Sequence, residues 1–227
     1  MQRRDNYRIQ ADQAKARFLT YDQDALIRKC GLTADDRYLY TRLLDRPLRI
    51  DRRSGDLEVR EGAHWLDANT YHAVMTVLDW LCDCREDRHL SGRWKNMEAF
   101  GHQFHRNLLE EARNPMADRF DADPGLLERA CARLEGRPVP GADIGFSVEL
   151  FDGLRLAIQF WHGDEEFAPR LRYLWDENAG MYLRYETMYF AVSLVLDRIT
   201  ELTGADDALS GRQAAVRYFL PGEEEHR

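Results

Sequence analysis

The stretch from Ile144 to Phe160 constrains the fold more than any other. Ile144, Phe146, Val148 and Leu150 alternate with small or polar residues, Asp152-Gly153 interrupts, and Leu154, Leu156, Ile158 and Phe160 alternate again. A period of two places one apolar set on one face of a pleated strand, and Asp-Gly tolerates the positive φ of a tight hairpin turn. The pattern predicts an antiparallel hairpin with one buried face. Leu171, Tyr173 and Trp175 repeat the period and predict a third antiparallel strand. Met188, Val192, Val195, Ile199 and Leu202 then fall four, three, four and three apart. That is the rhythm of an amphipathic helix ending near Gly204, whose stripe would cover the sheet.

Upstream the signals are shorter. Tyr7, Ala11, Ala14 and Phe18 line one face of a first helix capped by Asp5 or Asn6, and a second runs from the Asp22 cap to Gly31. Leu48 and Ile50, then Leu57 and Val59, alternate around Arg53-Ser54-Gly55 as a hairpin, with Pro47 at a strand start. A helix from an Asp67 cap carries Tyr71, Val74, Met75, Leu78 and Cys82 on one stripe, and another is expected from Asn96 to Glu111 on Phe100, Phe104 and Leu108. Asp123-Pro124 opens a further helix that Gly136 closes, and Pro138, Pro140 and Gly141 make a stiff linker. The reading is an α+β fold of antiparallel sheets covered by helices. It forms a single domain over 1–227, with an N-terminal helical segment at 1–35 and a frayed tail at 205–227.

Composition fits that picture. A chain of 227 residues with 44% apolar content buries roughly 70% of its unfolded surface, so its core needs neither disulfides nor a structural metal. The charge of −8 argues against a general nucleic-acid or membrane-surface binder, which needs clustered cations, while leaving room for a local basic patch. Met1 to Arg8 is basic but leads into the polar run at Gln10, unlike a signal peptide, and no apolar run is long enough to span a bilayer. Cys30, Cys82, Cys84 and Cys131 lack the dense spacing of a secreted disulfide framework, so a reducing cytoplasm is expected.

Phe160-Trp-His-Gly-Asp-Glu-Glu-Phe167, Leu174-Trp-Asp176, Tyr182-Leu-Arg-Tyr-Glu186 and, upstream, Leu90-Ser-Gly-Arg-Trp94 together resemble the bacterial and archaeal family known as domain of unknown function 3786, over about residues 40 to 200. Trp175 stands where Phe is commoner, and Tyr185-Glu186-Thr187 replaces a Thr-Glu-Asp-like helix start. The resemblance transfers no catalytic residue. It implies a functional link to iron–sulfur and corrinoid proteins, since some relatives look like fusions to iron–sulfur modules. This chain has no Cys-x-x-Cys run of its own.

The sharpest polar cluster is Asp164-Glu165-Glu166 at a strand exit. Three acids there suit a hard cation or a basic group, or, more plainly, a solvated turn in which one carboxylate caps the backbone or bridges to Arg170 or Arg172. Trp161 falls on the strand face opposite Phe160. With Trp94, Trp175, Tyr173 and Tyr182 it lines a ligand wall or packs into the core, and convergence of Asp176, Glu177 or Glu186 on the 164–166 acids would favour a functional role for that cluster. Glu98, His102 and His105 at i, i+4 and i+7 offer a weak metal set, because His-Glu-x-x-His is absent. Cys82 and Cys84 diverge by about 200° on a helix and cannot share a ligand. Asp121-x-Asp123-x-Gly125 opens like a calcium loop but has Ala132 where the closing glutamate belongs. No Walker, dinucleotide or serine-hydrolase motif occurs. The chain therefore reads as a binding or accessory module for a small ligand or protein, with Asp164, Glu165, Glu166, Trp161, Trp94 and Asp176 as candidates. The alternative is a metal-dependent enzyme using the 164–166 acids with His102, His105 or His162.

Overall fold

A computed structural model describes residues 2–101 and 115–204. Among the described residues the fold is α+β, with six α-helices and two five-stranded antiparallel sheets packed with helices. Two compact units alternate along the chain: residues up to 91 with 150–154 and 178–191 form one, and 92–149, 155–177 and 192 onward the other.

In the first unit α1 (Gln2–Phe18) buries Ala11 and Phe18. It starts ahead of Asp5 and Asn6, so neither is its cap. α2 (Gln23–Cys30) is bounded as its sequence predicts. Asp22 accepts the amide N–H groups of Asp24 and Ala25, and Gly31 takes φ 63, a left-handed value that only glycine adopts without strain. A meander follows: β1 (Thr33–Ala34), β2 (Tyr38–Leu43), β3 (Arg46–Asp51), β4 (Leu57–Glu61) and β5 (His64–Asp67), hydrogen-bonded in that order. Register pairs Leu39 with Ile50 and Leu48 with Val59, so Leu39, Leu43, Leu48, Ile50, Leu57 and Val59 bury one face. The opposite face is aromatic and basic. The Arg49 guanidinium lies 4.1 Å from the Tyr38 ring centre and 4.4 Å from that of Trp65. Those outward tyrosines blur the alternation, which is why β2 escapes a hydropathy reading.

Asp67 does not start a helix; it ends β5, opposite Glu58. Its carboxylate accepts the Asn69 side-chain amide, and Thr70 caps α3 (Tyr71–Asp83) by accepting the Ala73 N–H. Thr70 takes the cap position because Asp67 is already committed to a strand. Trp80 of α3 stacks on Phe151, ring centres 4.4 Å apart. Asp79, only 4% exposed, is gripped by Arg184 and the Thr187 hydroxyl, with Asp83 held by Arg17 at 2.6 Å.

Apart from the hairpin tip at 150–154, the second unit carries β6 (Trp94–Asn96), α4 (Pro115–Ala122), α5 (Pro124–Arg133), β7 (Arg137–Pro138), β8 (Ile144–Phe151), β9 (Leu154–Trp161) and β10 (Arg170–Asp176), with sheet order β6-β10-β9-β8-β7. The hairpin forms as its alternation requires, Asp152 at φ 51 and Gly153 at φ 76 making the turn. Two expectations need correction. Asn96 does not begin an α-helix, because its backbone pairs with Leu174 and the chain then makes a single 3-10 turn over Met97–Ala99; the rest of that expected helix falls at 102–111, outside the described residues. Pro138 belongs to no linker but to an edge strand, where its missing N–H leaves no ladder bond unmade. α5 ends on a left-handed Glu135 (φ 54), one residue before the expected glycine, and the Gly136 N–H then reaches the Cys131 carbonyl. α6 (Tyr185–Leu202) buries Met188, Val192, Val195 and Ile199 and stops before Gly204 at φ 66. The expected frayed tail also lies outside the described residues.

Candidate functional site

β9 leaves the sheet at Trp161 and β10 re-enters at Arg170, and these two residues are register partners. Antiparallel partners project to the same face, so Trp161 shares its side of the sheet with Arg170 and Arg172 while Leu171, Tyr173 and Trp175 are buried on the other. The Arg170 guanidinium sits 4.4 Å from the indole centre and that of Arg172 sits 5.2 Å away. Among the described residues neither arginine is paired with a carboxylate. Two guanidiniums beside one indole present positive charge and a flat apolar surface together. The adjoining Gln159 is buried and donates to the Pro140 carbonyl at 2.7 Å, which closes the inner side of the patch.

The connecting loop is fixed from several directions. The Asp164 carboxylate accepts the N–H groups of Glu166 (2.8 Å) and Phe167 (2.7 Å), and its own N–H donates to the Phe167 carbonyl. The residue therefore builds the turn, the plainer of its two expected roles. Glu165, Glu166 and Phe167 are exposed at the tip. The His162 N–H donates to Asp143 at 2.8 Å, while its ring nitrogen Nδ1 meets Asp121 at 2.9 Å. Asp121, on α4, also accepts the Gly163 N–H, and these contacts, the His162 one first, hold its carboxyl below the ordinary carboxylate range.

Not every expected residue reaches this rim. Asp164, Glu165, Glu166 and Trp161 share it, whereas Trp94 and Asp176 pair with each other at the far end of β10. Six residues of strand separate the two places, about 20 Å at about 3.4 Å per residue. Asp176 is 6% exposed and accepts the Gly92 N–H at 2.7 Å, so it fastens the loop before β6. The next residue, Glu177, lies against Arg93, which lowers its carboxyl pKa.

The metal reading finds no matching geometry in this loop. One oxygen of Asp164 is taken by amides, His162 faces Asp121 in place of the 164–166 acids, and Glu98 is exposed in a 3-10 turn that ends at Ala99. His102 and His105 lie outside the described residues. Among the described residues no three His, Cys, Asp or Glu side chains are grouped so as to hold a metal ion, and no helix is long and apolar enough to cross a membrane.

The sequence offers Arg170 and Arg172 only as partners for the acids; the fold sets them beside the Trp161 indole instead. Their two-residue spacing was visible. That it falls on the Trp161 face follows from the β9–β10 register, which a single sequence does not display.

Comparison with protein families finds a match over residues 22–198, most of the chain, to the family described as Domain of unknown function (DUF3786). No curated protein and no solved structure matches.

Proposed function

The chain belongs to the DUF3786 family, and from that premise, with side-chain chemistry as the guide to activity, we propose that it is a binding module for a small anionic ligand bearing a flat ring. The observation that carries this reading is the pair of guanidiniums, Arg170 and Arg172, beside Trp161 without a carboxylate partner among the described residues. Carboxylate and phosphate groups fit that pair because a guanidinium offers parallel N–H donors, and the indole adds stacking area for the ring. The acids of the 164–167 turn border the patch and disfavour ligands of high negative charge. They would set an upper limit on ligand charge rather than bind it.

The indole N–H resonance of Trp161, assigned by its loss in Trp161→Phe, provides the test. Adenosine monophosphate as a planar anion is expected to shift it saturably, inorganic phosphate to shift it weakly, and Arg170→Ala with Arg172→Ala to abolish both responses. An unchanged resonance at millimolar probe, or a shift that survives the double substitution, would overturn the proposal.

A further inference from the structure

The first unit holds a thiol pair that the anion-binding reading does not use. Cys30 is the last residue of α2, and Cys84 is the first beyond α3, with an extended backbone at φ −60, ψ 146. Because Cys84 has left the helix, the divergence expected between it and Cys82 is irrelevant; its partner is elsewhere. Its Sγ lies 3.6 Å from the Sγ of Cys30, 54 positions away in sequence. Cys30 Sγ is also 3.9 Å from the Leu81 carbonyl oxygen.

Two cations, Lys29 and Arg88, lie nearby, with Asp152 opposing them. Lys29 Nζ donates to the Cys82 carbonyl at 3.0 Å. Arg88 donates to the carbonyls of Lys29 and Arg85 and pairs with Asp152. The Cys30 thiol hydrogen bond, followed by the charges of Lys29 and Arg88, favours the Cys84 thiolate against the opposing effect of burial, while Cys30 is held as the thiol. The other two cysteines differ. Burial pushes Cys82 up to about 11 and Cys131, with no exposed surface, up to about 12. Cys30 and Cys84 are buried at 7% and 5% exposure, close to the 6% of Cys82, so what sets the pair apart is the 3.6 Å approach of their sulfurs.

We propose that Cys30 and Cys84 are a reversible oxidation site, closed into an intramolecular disulfide by a small peroxide and reopened by a dithiol. The Cys84 thiolate attacks one peroxide oxygen, the O–O bond breaks, and hydroxide leaves and is protonated to water, with a sulfenic acid left on Cys84. Cys30 sulfur then attacks the Cys84 sulfur, the S–O bond breaks, and the hydroxyl departs with the Cys30 proton as a second water. Two electrons pass from the sulfur pair to the peroxide. The new bond ties the ends of α2 and α3. A dithiol reductant reverses the step by taking the disulfide onto its own two sulfurs.

The full chain treated with hydrogen peroxide, alkylated and digested without reduction tests this. The expected result is a linked peptide pair containing Cys30 and Cys84, loss of two of the four thiols, and recovery of both with dithiothreitol. In Cys30→Ser the reaction is expected to stop at a sulfenic acid on Cys84 that dimedone traps. Cys82→Ser with Cys131→Ser should leave the link intact. Linkage through Cys82 or Cys131, linkage between chains, or four unreacted thiols in the natively folded protein would each overturn the proposal, and mapping the unsubstituted chain keeps the result independent of any folding defect in a variant. None of these outcomes bears on Arg170 and Arg172.

Discussion

Replacing Asp164 with Ala removes the acceptor for two backbone amides in an exposed turn. Water recovers those amides, so the expected loss of stability is about 1 kcal/mol, and Asn in its place, which keeps an acceptor oxygen, recovers most of it. A denaturant midpoint for each variant checks this, and a loss above about 3 kcal/mol would mean that the acid is buried. Asp79 is the contrasting case. It is buried and accepts from Arg184 and Thr187, so Asp79→Ala strands both donors. Since Arg184 is half exposed and regains water, about 2 kcal/mol is expected instead of the larger loss of a fully trapped charge. Neither role is written in composition. Both residues are aspartates, and the groups that surround them in the fold separate a turn-former from a buried anchor.

At the scale of elements, the β7–β8 edge depends on one glycine. A Cβ at Gly145 would overlap the carbonyl oxygen of Val139, whose N–H donates to the Gly145 carbonyl at 2.9 Å. Gly145→Ala is therefore expected to push β7 off the sheet, destabilising the protein by about 2 kcal/mol and raising amide exchange at Val139 and Ser147 before the rest of the sheet. A substitution tolerated without either change would show that the strand shifts freely. Elements with their own periodicity were legible: the 144–160 hairpin, β10, α2 with both boundaries, and α6. β2 was hidden by outward aromatics, β7 by Pro138, and the start of α3 was set at Asp67, which strand pairing takes into β5 and leaves Thr70 as the cap. Of the candidate residues, Trp161 and the 164–166 acids come together at one rim, while Trp94 and Asp176 meet at the other end of β10, a separation set by strand pairing that a single sequence does not display.

For the molecule as a whole, several carboxyls are held below their ordinary range: Asp35 by the Tyr40 hydroxyl, Asp56 by Lys15 and Asp121 by His162. A carboxyl lowered in the folded state contributes stability that is complete above its unfolded pKa and is lost as pH falls through the folded value. The denaturant midpoint should accordingly show no loss from these groups between pH 7 and about 5 and then decline toward about 2. Tyr71 carries the opposite sign. Burial raises its hydroxyl to about 12, so its contribution is present below the ordinary tyrosine range and disappears as pH rises through that value. A midpoint that climbed as pH fell below about 5 would contradict the carboxyl argument, and one that climbed as pH rose toward about 12 would contradict the tyrosine argument.

What the sequence determined by itself is local: where the chain alternates, where it follows a helical stripe, and where Asp22, Gly31 or Asp152-Gly153 stop or turn it. These depend on the geometry of a few consecutive residues, which the order of side chains specifies directly. Register and proximity were decided only by the tertiary structure. Pairing Trp161 with Arg170 placed two guanidiniums beside one indole, and the packing of α2 near the end of α3 brought Cys30 to Cys84 across 54 positions. Such meetings are fixed by the burial of whole faces, a sum over many side chains that no short motif carries.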